Sequence, residues 1–124
     1  MSAKEGIEAV RACFPVLFNA GKIDELGESF YAEDAYALPP DHKPIRGRRE
    51  IVRYIRDLRE SGDVRFELGI LETVAEGDRG YLIGTYVMTS GGKTVEGVTH
   101  EAFRRQADGS WKCVVDMWHN SAPA

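Results

Sequence analysis

Residues 93–120, KTVEGVTHEAFRRQADGSWKCVVDMWHN, decide the fold. Two runs of alternating apolar and polar residues flank Asp108-Gly109, a strong tight-turn signal. A two-residue turn there pairs Ala107 with Ser110. Counting outward places Phe103 opposite Val114, Glu101 opposite Asp116 and Thr99 opposite Trp118. Side chains alternate along a strand, so all six share one face. Two carboxylates then face each other between aromatic residues. Like charges in an apolar setting cannot both ionise cheaply, so one pKa is expected to rise. This is where residue spacing points to chemistry, provided that no bulge or longer turn shifts the register.

Working outward, the chain before this hairpin also reads as strand. Residues 64–77 alternate through Val64, Phe66, Leu68 and Ile70. A turn at Glu76-Gly77-Asp78 leads into residues 79–90, and Ser90-Gly91-Gly92 leads into the hairpin. Consecutive hairpins make an antiparallel meander. Upstream, the apolar spacing is helical. Ile7, Val10, Phe14, Leu17 and Phe18 predict a helix over 3–20 closed by Gly21, with Pro15 expected to kink it or restart it. Ile23, Leu26 and Phe30 predict a second helix over 23–31. A short strand, 34–38, alternates through Tyr36 and Leu38 and stops at Pro39-Pro40. Residues 47–61 form a third helix with Ile51, Tyr54, Ile55 and Leu58 on its inner face and Gly62 at its end. Helices segregated before a sheet define an α+β fold.

Composition bounds what such a chain does. With 124 residues, it reads as one domain with a single core. A hydrophobic content of 43% and a charged content of 29% are those of an ordinary globular protein. The net charge of −4 argues against nucleic acid as a partner. Arg49, Arg53, Arg56 and Arg59 share a face of the third helix, but Asp57 and Glu60 are interleaved, so that face reads as solvated. No apolar run approaches a membrane span, and the first residues lack a signal-peptide pattern. Cys13 and Cys113 match no zinc or redox spacing and read as reduced. A cytoplasmic location is the expectation. Residues 121–124, Ser-Ala-Pro-Ala, read as a frayed end.

His42, His100 and His119 offer no metal-ligand spacing, and no glycine pattern cradles a phosphate, so neither metal nor cofactor is expected. His100 alternates away from Glu101. Both faces of the sheet carry apolar residues. The helices cover one; the other, through Ile83, Val87, Cys113, Val115 and Met117, is expected to form a homodimer.

The order helix, helix, short strand, helix, four long strands resembles the nuclear-transport-factor-2-like superfamily, which includes ketosteroid isomerases and SnoaL-like polyketide cyclases. Residues 30–40, FYAEDAYALPP, residues 45–55, IRGRREIVRYI, and residues 103–120 are most similar to SnoaL-like proteins of unassigned function. The resemblance implies a cone-shaped roll, a curved and mostly antiparallel sheet wrapping three helices. It also implies a deep apolar pocket at the open end of the cone, and usually a dimer.

Catalysis does not follow from the fold. Ketosteroid isomerases carry an aspartate base after the first strand, where this chain has Pro39. Their oxyanion-hole tyrosine on the first helix corresponds to Phe14. Their carboxylic acid on the penultimate strand corresponds to Glu101. With base and tyrosine missing, a steroid isomerase of that design is not expected. A different acid–base arrangement stays open. Asp116 can act as a base of raised pKa, with Glu101 neutral beside it and His42 reaching the pocket mouth from its loop. Equally, Asp116 can pair with an arginine such as Arg46, and Glu101 can bond Thr99 or a tyrosine. The expected ligand is small, apolar and ring-containing, lined by Phe14, Phe18, Tyr36, Leu38, Tyr54, Tyr86, Met88, Phe103 and Trp118. Binding without turnover, acid–base catalysis and an assembly role are the three functions left.

Overall fold

A computed structural model describes residues 1–121; the last three residues of the predicted frayed end lie outside it. Helix α1 spans Ala3–Asn19, α2 Ile23–Phe30 and α3 Arg48–Glu60. The strands are β1 Tyr31–Leu38, β2 Ile45–Arg46, β3 Arg65–Glu76, β4 Arg79–Ser90, β5 Lys93–Arg105 and β6 Trp111–Asn120. They form one six-stranded sheet in the order β2-β1-β6-β5-β4-β3. β3 to β6 are the antiparallel meander, and β1 joins β6 in parallel. The helices fill the concave side, so the fold is an α+β roll.

The ends of α1 are fixed by local chemistry. Ser2 and Glu5 close a reciprocal capping box, with Glu5 N–H donating to Ser2 Oγ at 3.1 Å and Ser2 N–H to Glu5 Oε1 at 3.0 Å. The helix neither restarts nor ends at Pro15. Phe14 and Phe18, stacked 5.8 Å apart, anchor the turns on either side of it, and packing outweighs the one lost backbone bond. Arg59 donates from Nε to the Phe18 carbonyl and from Nη2 to that of Asn19, capping the last turn of α1. At least this member of the arginine face therefore joins α3 to α1.

The β5–β6 hairpin keeps its expected pairing at the carboxylates through two compensating irregularities. Glu101 pairs with Asp116 and Thr99 with Trp118. The turn, however, is longer than two residues. Gln106 N–H donates to the Ser110 carbonyl, Gly109 N–H to the Gln106 carbonyl, and Gly109 takes φ +86°, a left-handed conformation suited to glycine. That loop shifts the register by one, so Phe103 pairs with Cys113 rather than Val114. Val114 is then an extra, unpaired residue, a bulge that restores the pairing from Ala102–Val115 onward. The parity of the early strand flips with it. Cys113 is fully buried, not on the outer face as expected, whereas Val115 is half-buried and Met117 is 42% exposed.

Two further corrections concern inward-facing residues. Beyond Tyr31 and Ala32, the buried residues of β1 are Ala35 and Ala37, not Tyr36 and Leu38. The strand starts at Tyr31, earlier than its spacing predicted, and the small alanines face the core cluster. Tyr36 stays outside, where Arg46 Nη1 donates to its hydroxyl at 2.6 Å and the guanidinium lies 4.4 Å over its ring. On β3 a bulge between Ile70 and Glu72 breaks the alternation. Ile70 is 49% exposed, and Thr73 takes the buried position beyond it.

Candidate functional site

The concave side holds a cavity that every helix helps to line. Phe14 and Phe18 come from α1, Phe30 from α2, and Ile55 and Leu58 from α3. Tyr31 enters from β1, Phe66 and Leu68 from β3, Tyr86 from β4, Thr99 and Glu101 from β5, and Asp116 and Trp118 from β6. The space between the walls is about 490 Å³ with the solvent at its open end, but only about 40 Å³ admits a water molecule. That is room for a few waters, so a ring-sized ligand requires the aromatic walls to part.

Arg11, Thr99 and Glu101 form one hydrogen-bonded network at this cavity. Arg11, 3% exposed, lies on the apolar stripe of α1 between Ile7 and Phe14. Its Nε donates to both oxygens of Glu101, at 3.1 and 2.9 Å. Nη1 donates to the Gly69 carbonyl at 2.9 Å, and Nη2 to Thr99 Oγ1 at 3.2 Å. The Thr99 hydroxyl in turn donates to Glu101 Oε2 at 2.6 Å. Glu101 therefore accepts at both oxygens, and of the alternatives left open by the sequence the bond to Thr99 is the one present. Gly84 makes room for the guanidinium. A Cβ there would come within 2.9 Å of Arg11 Cζ and 2.6 Å of the Gly69 carbonyl oxygen.

Asp116 is held differently. The Tyr31 hydroxyl donates to Oδ2 at 2.6 Å. Among the described residues, Oδ1 has no hydrogen-bond partner, and the side chain lines the cavity. Burial pushes the carboxyl up, and the adjacent Glu101 charge pushes it further. The Tyr31 hydrogen bond and Arg11 pull it partly back, and the balance is a pKa of about 7. Burial, followed by the Asp116 charge, also raises the Tyr31 hydroxyl and the Cys113 thiol well above their ordinary values. A thiol so raised is a poor nucleophile.

The cavity thus brings together Asp116, Glu101, Phe14, Phe18, Tyr86 and Trp118. Phe103 and Met88 lie in and against the core rather than on its walls. Tyr36 and Leu38 are not among the lining residues, for the reason given by β1. His42 is exposed. Its ring packs 5.1 Å from that of Tyr54, which lies 6.4 Å from Trp118, so Tyr54 stands behind the wall residue Trp118 and His42 behind Tyr54. His100 is exposed on the opposite face, stacked on Tyr81. Arg46 engages Tyr36 instead of Asp116. Arg11 and Tyr31 are the residues bonded to the two carboxylates that spacing did not single out. Arg11 stands four residues after Ile7 and three before Phe14, the centre of an apolar stripe, and a charge there was the available signal. Apolar spacing places Tyr31 at the end of α2, but that helix closes one residue earlier.

Among the described residues, no group of three or more His, Cys, Asp or Glu could hold a metal ion. No described helix is long and apolar enough to cross a membrane.

A cone-shaped α+β roll with acidic residues on the wall of an aromatic cavity defines the class. The chain belongs to the SnoaL-like domain family, whose model matches residues 8–114. Solved structures share the fold across nearly the whole chain. A proposed dehydratase of the nuclear-transport-factor-2-like family from Streptomyces avermitilis is 19% identical, covers 97% of this chain and 96% of its own, and superposes with a TM-score of 0.84. A ketosteroid isomerase-like protein from Erwinia carotovora atroseptica is 20% identical over 97% of each chain, with a TM-score of 0.78. A domain of unknown function with a cystatin-like fold from Nostoc punctiforme is 14% identical, covers 99% of this chain and 80% of its own, and reaches 0.85. At these identities the likeness is one of fold. No curated protein matches the sequence.

Proposed function

We propose that this chain binds a small, largely apolar, ring-containing molecule in the cone cavity and moves a proton on it with Asp116. The observation that carries this is a buried carboxyl on the wall of an apolar cavity, with a pKa of about 7, whose Oδ1 has no hydrogen-bond partner among the described residues. A group so balanced both takes and returns a proton at neutral pH. The reaction class is proton abstraction next to a carbonyl, as isomerases, cyclases and some dehydratases require. Asp116 Oδ1 takes the proton, the C–H electron pair passes into the enolate, and the same oxygen returns the proton to the ring system.

The test is exchange in heavy water. Uncharged cyclic ketones and hydroxyketones are incubated with the protein, and deuterium entering beside the carbonyl is followed by NMR. The wild-type chain is expected to accelerate exchange for at least one ring system, and Asp116→Asn to abolish it while still binding. Saturable binding with no exchange would reduce the function to binding.

The small free volume favours a second function, that of a dimerising domain whose cavity is filled by its own side chains. Its interface would be the outer sheet face. Ile83, Val87 and Val115 are half-buried there, and Met117 is 42% exposed.

A further inference from the structure

Arg11 is out of place on energetic grounds. Burying an ion pair in a core is often no better than filling the same volume with apolar residues, because desolvating both charges offsets their attraction. The fold nonetheless builds a seat for this one. Gly84 leaves bare backbone beneath the guanidinium, and the Gly69 carbonyl and Thr99 hydroxyl take its two outer nitrogens. The remaining Nε grips both oxygens of Glu101. Glu101 stands directly across the β5–β6 ladder from Asp116.

Two adjacent buried carboxylates without a cation share one proton, and either can hold it. Here the cation touches one member alone. We propose that Arg11 and Thr99 are positioning residues that fix Glu101 as the anion of the pair and thereby assign its proton to Asp116. Both carboxyls line the cavity, but Asp116 is the member with an oxygen that no described residue bonds, so the assignment puts the proton on the group left open to a ligand. This rests on Asp116 being the proton-transfer group proposed above. The ionisable groups that bear on Asp116 are Arg11 from α1, Tyr31 from β1, Glu101 from β5 and Cys113 on its own strand. Phe30, Ile55 and Leu58, which line the cavity from α2 and α3, are apolar.

The test is a carbon-13 NMR titration of the Asp116 and Glu101 carboxyls in the full chain and three variants. In the wild type, the neutral-range titration is expected on Asp116 alone. Glu101→Gln removes the neighbouring anion and is expected to lower the Asp116 midpoint by at least about one pH unit. Arg11→Met is expected to spread the neutral-range titration over both carboxyls, and Arg11→Lys, which keeps the charge, to return it toward Asp116. A merely structural role would lower the melting temperature and leave these midpoints in place. An unmoved Asp116 midpoint in Glu101→Gln would overturn the proposal, and that variant decides it alone if Arg11→Met does not fold. The titration needs no substrate. Midpoints that move as expected while ketone exchange is absent would leave this inference standing and remove the catalytic one.

Discussion

Tyr31 and Asp116 are joined across the parallel β1–β6 pair by a hydrogen bond of 2.6 Å from the phenol to Oδ2. It is the only hydrogen bond that the Asp116 side chain receives among the described residues. Tyr31→Phe is therefore expected to raise the Asp116 pKa further above 7, because that donor favours the ionised form. It leaves a buried carboxylate unpartnered, and the loss in stability should be about 1–3 kcal/mol at pH 8 and smaller at pH 5. Urea unfolding at both pH values measures the difference.

Asp116 also sets a pH dependence of stability. Its folded pKa of about 7 lies above the ordinary 3.8, so the folded chain holds a proton that the unfolded chain releases. Its contribution is full below about pH 4, falls as pH rises, and is gone above about pH 7. The whole span is roughly 4 kcal/mol. Asp116→Asn removes this slope and should be the more stable protein at pH 8. Thermal unfolding of the two proteins from pH 4 to pH 8 isolates the effect, since the lowered pKa values of Asp34 and Asp108 act at more acidic pH in both.

Gly84→Ala places a methyl group against Arg11 and the Gly69 carbonyl oxygen. Overpacking of this kind should cost about 1–3 kcal/mol. Because the displaced group is the arginine that holds Glu101, the Asp116 titration should change together with the melting temperature. A loss of stability with an unchanged titration would separate the seat from the acid.

Val115→Asp sets a charge on the proposed dimer face, away from the cavity. Sedimentation should show a dimer for the wild type and a monomer of near-equal melting temperature for the variant. A variant that stays dimeric would place the contact elsewhere.

Much of this was legible in the residues, for a physical reason. Glu101 and Asp116 were brought opposite each other by alternation alone, because both irregularities of the hairpin are one-residue shifts that cancel before that pair. Cys113 lies between the turn and the bulge, where the shift has not yet been undone, so alternation placed it on the wrong face. Nothing local marks Val114 as the extra residue, which lies partly buried against the core. Ala35 and Ala37 escaped because a hydrophobic count favours Tyr36 and Leu38, whereas the buried face of β1 takes the small side chains. Arg11 escaped because apolar periodicity carries no signal for a charged residue inside the stripe. Its partners lie on β3 and β5, far along the chain, and no local spacing reaches them.

The most direct measurement is the titration midpoint of the Asp116 side-chain carboxyl in the wild-type protein, read by carbon-13 NMR. A midpoint of about 7 is what a buried acid beside a fixed anion requires. A midpoint at the ordinary 3.8 would leave Asp116 ionised at neutral pH and would contradict the near-neutral balance between taking and returning a proton on which the account rests.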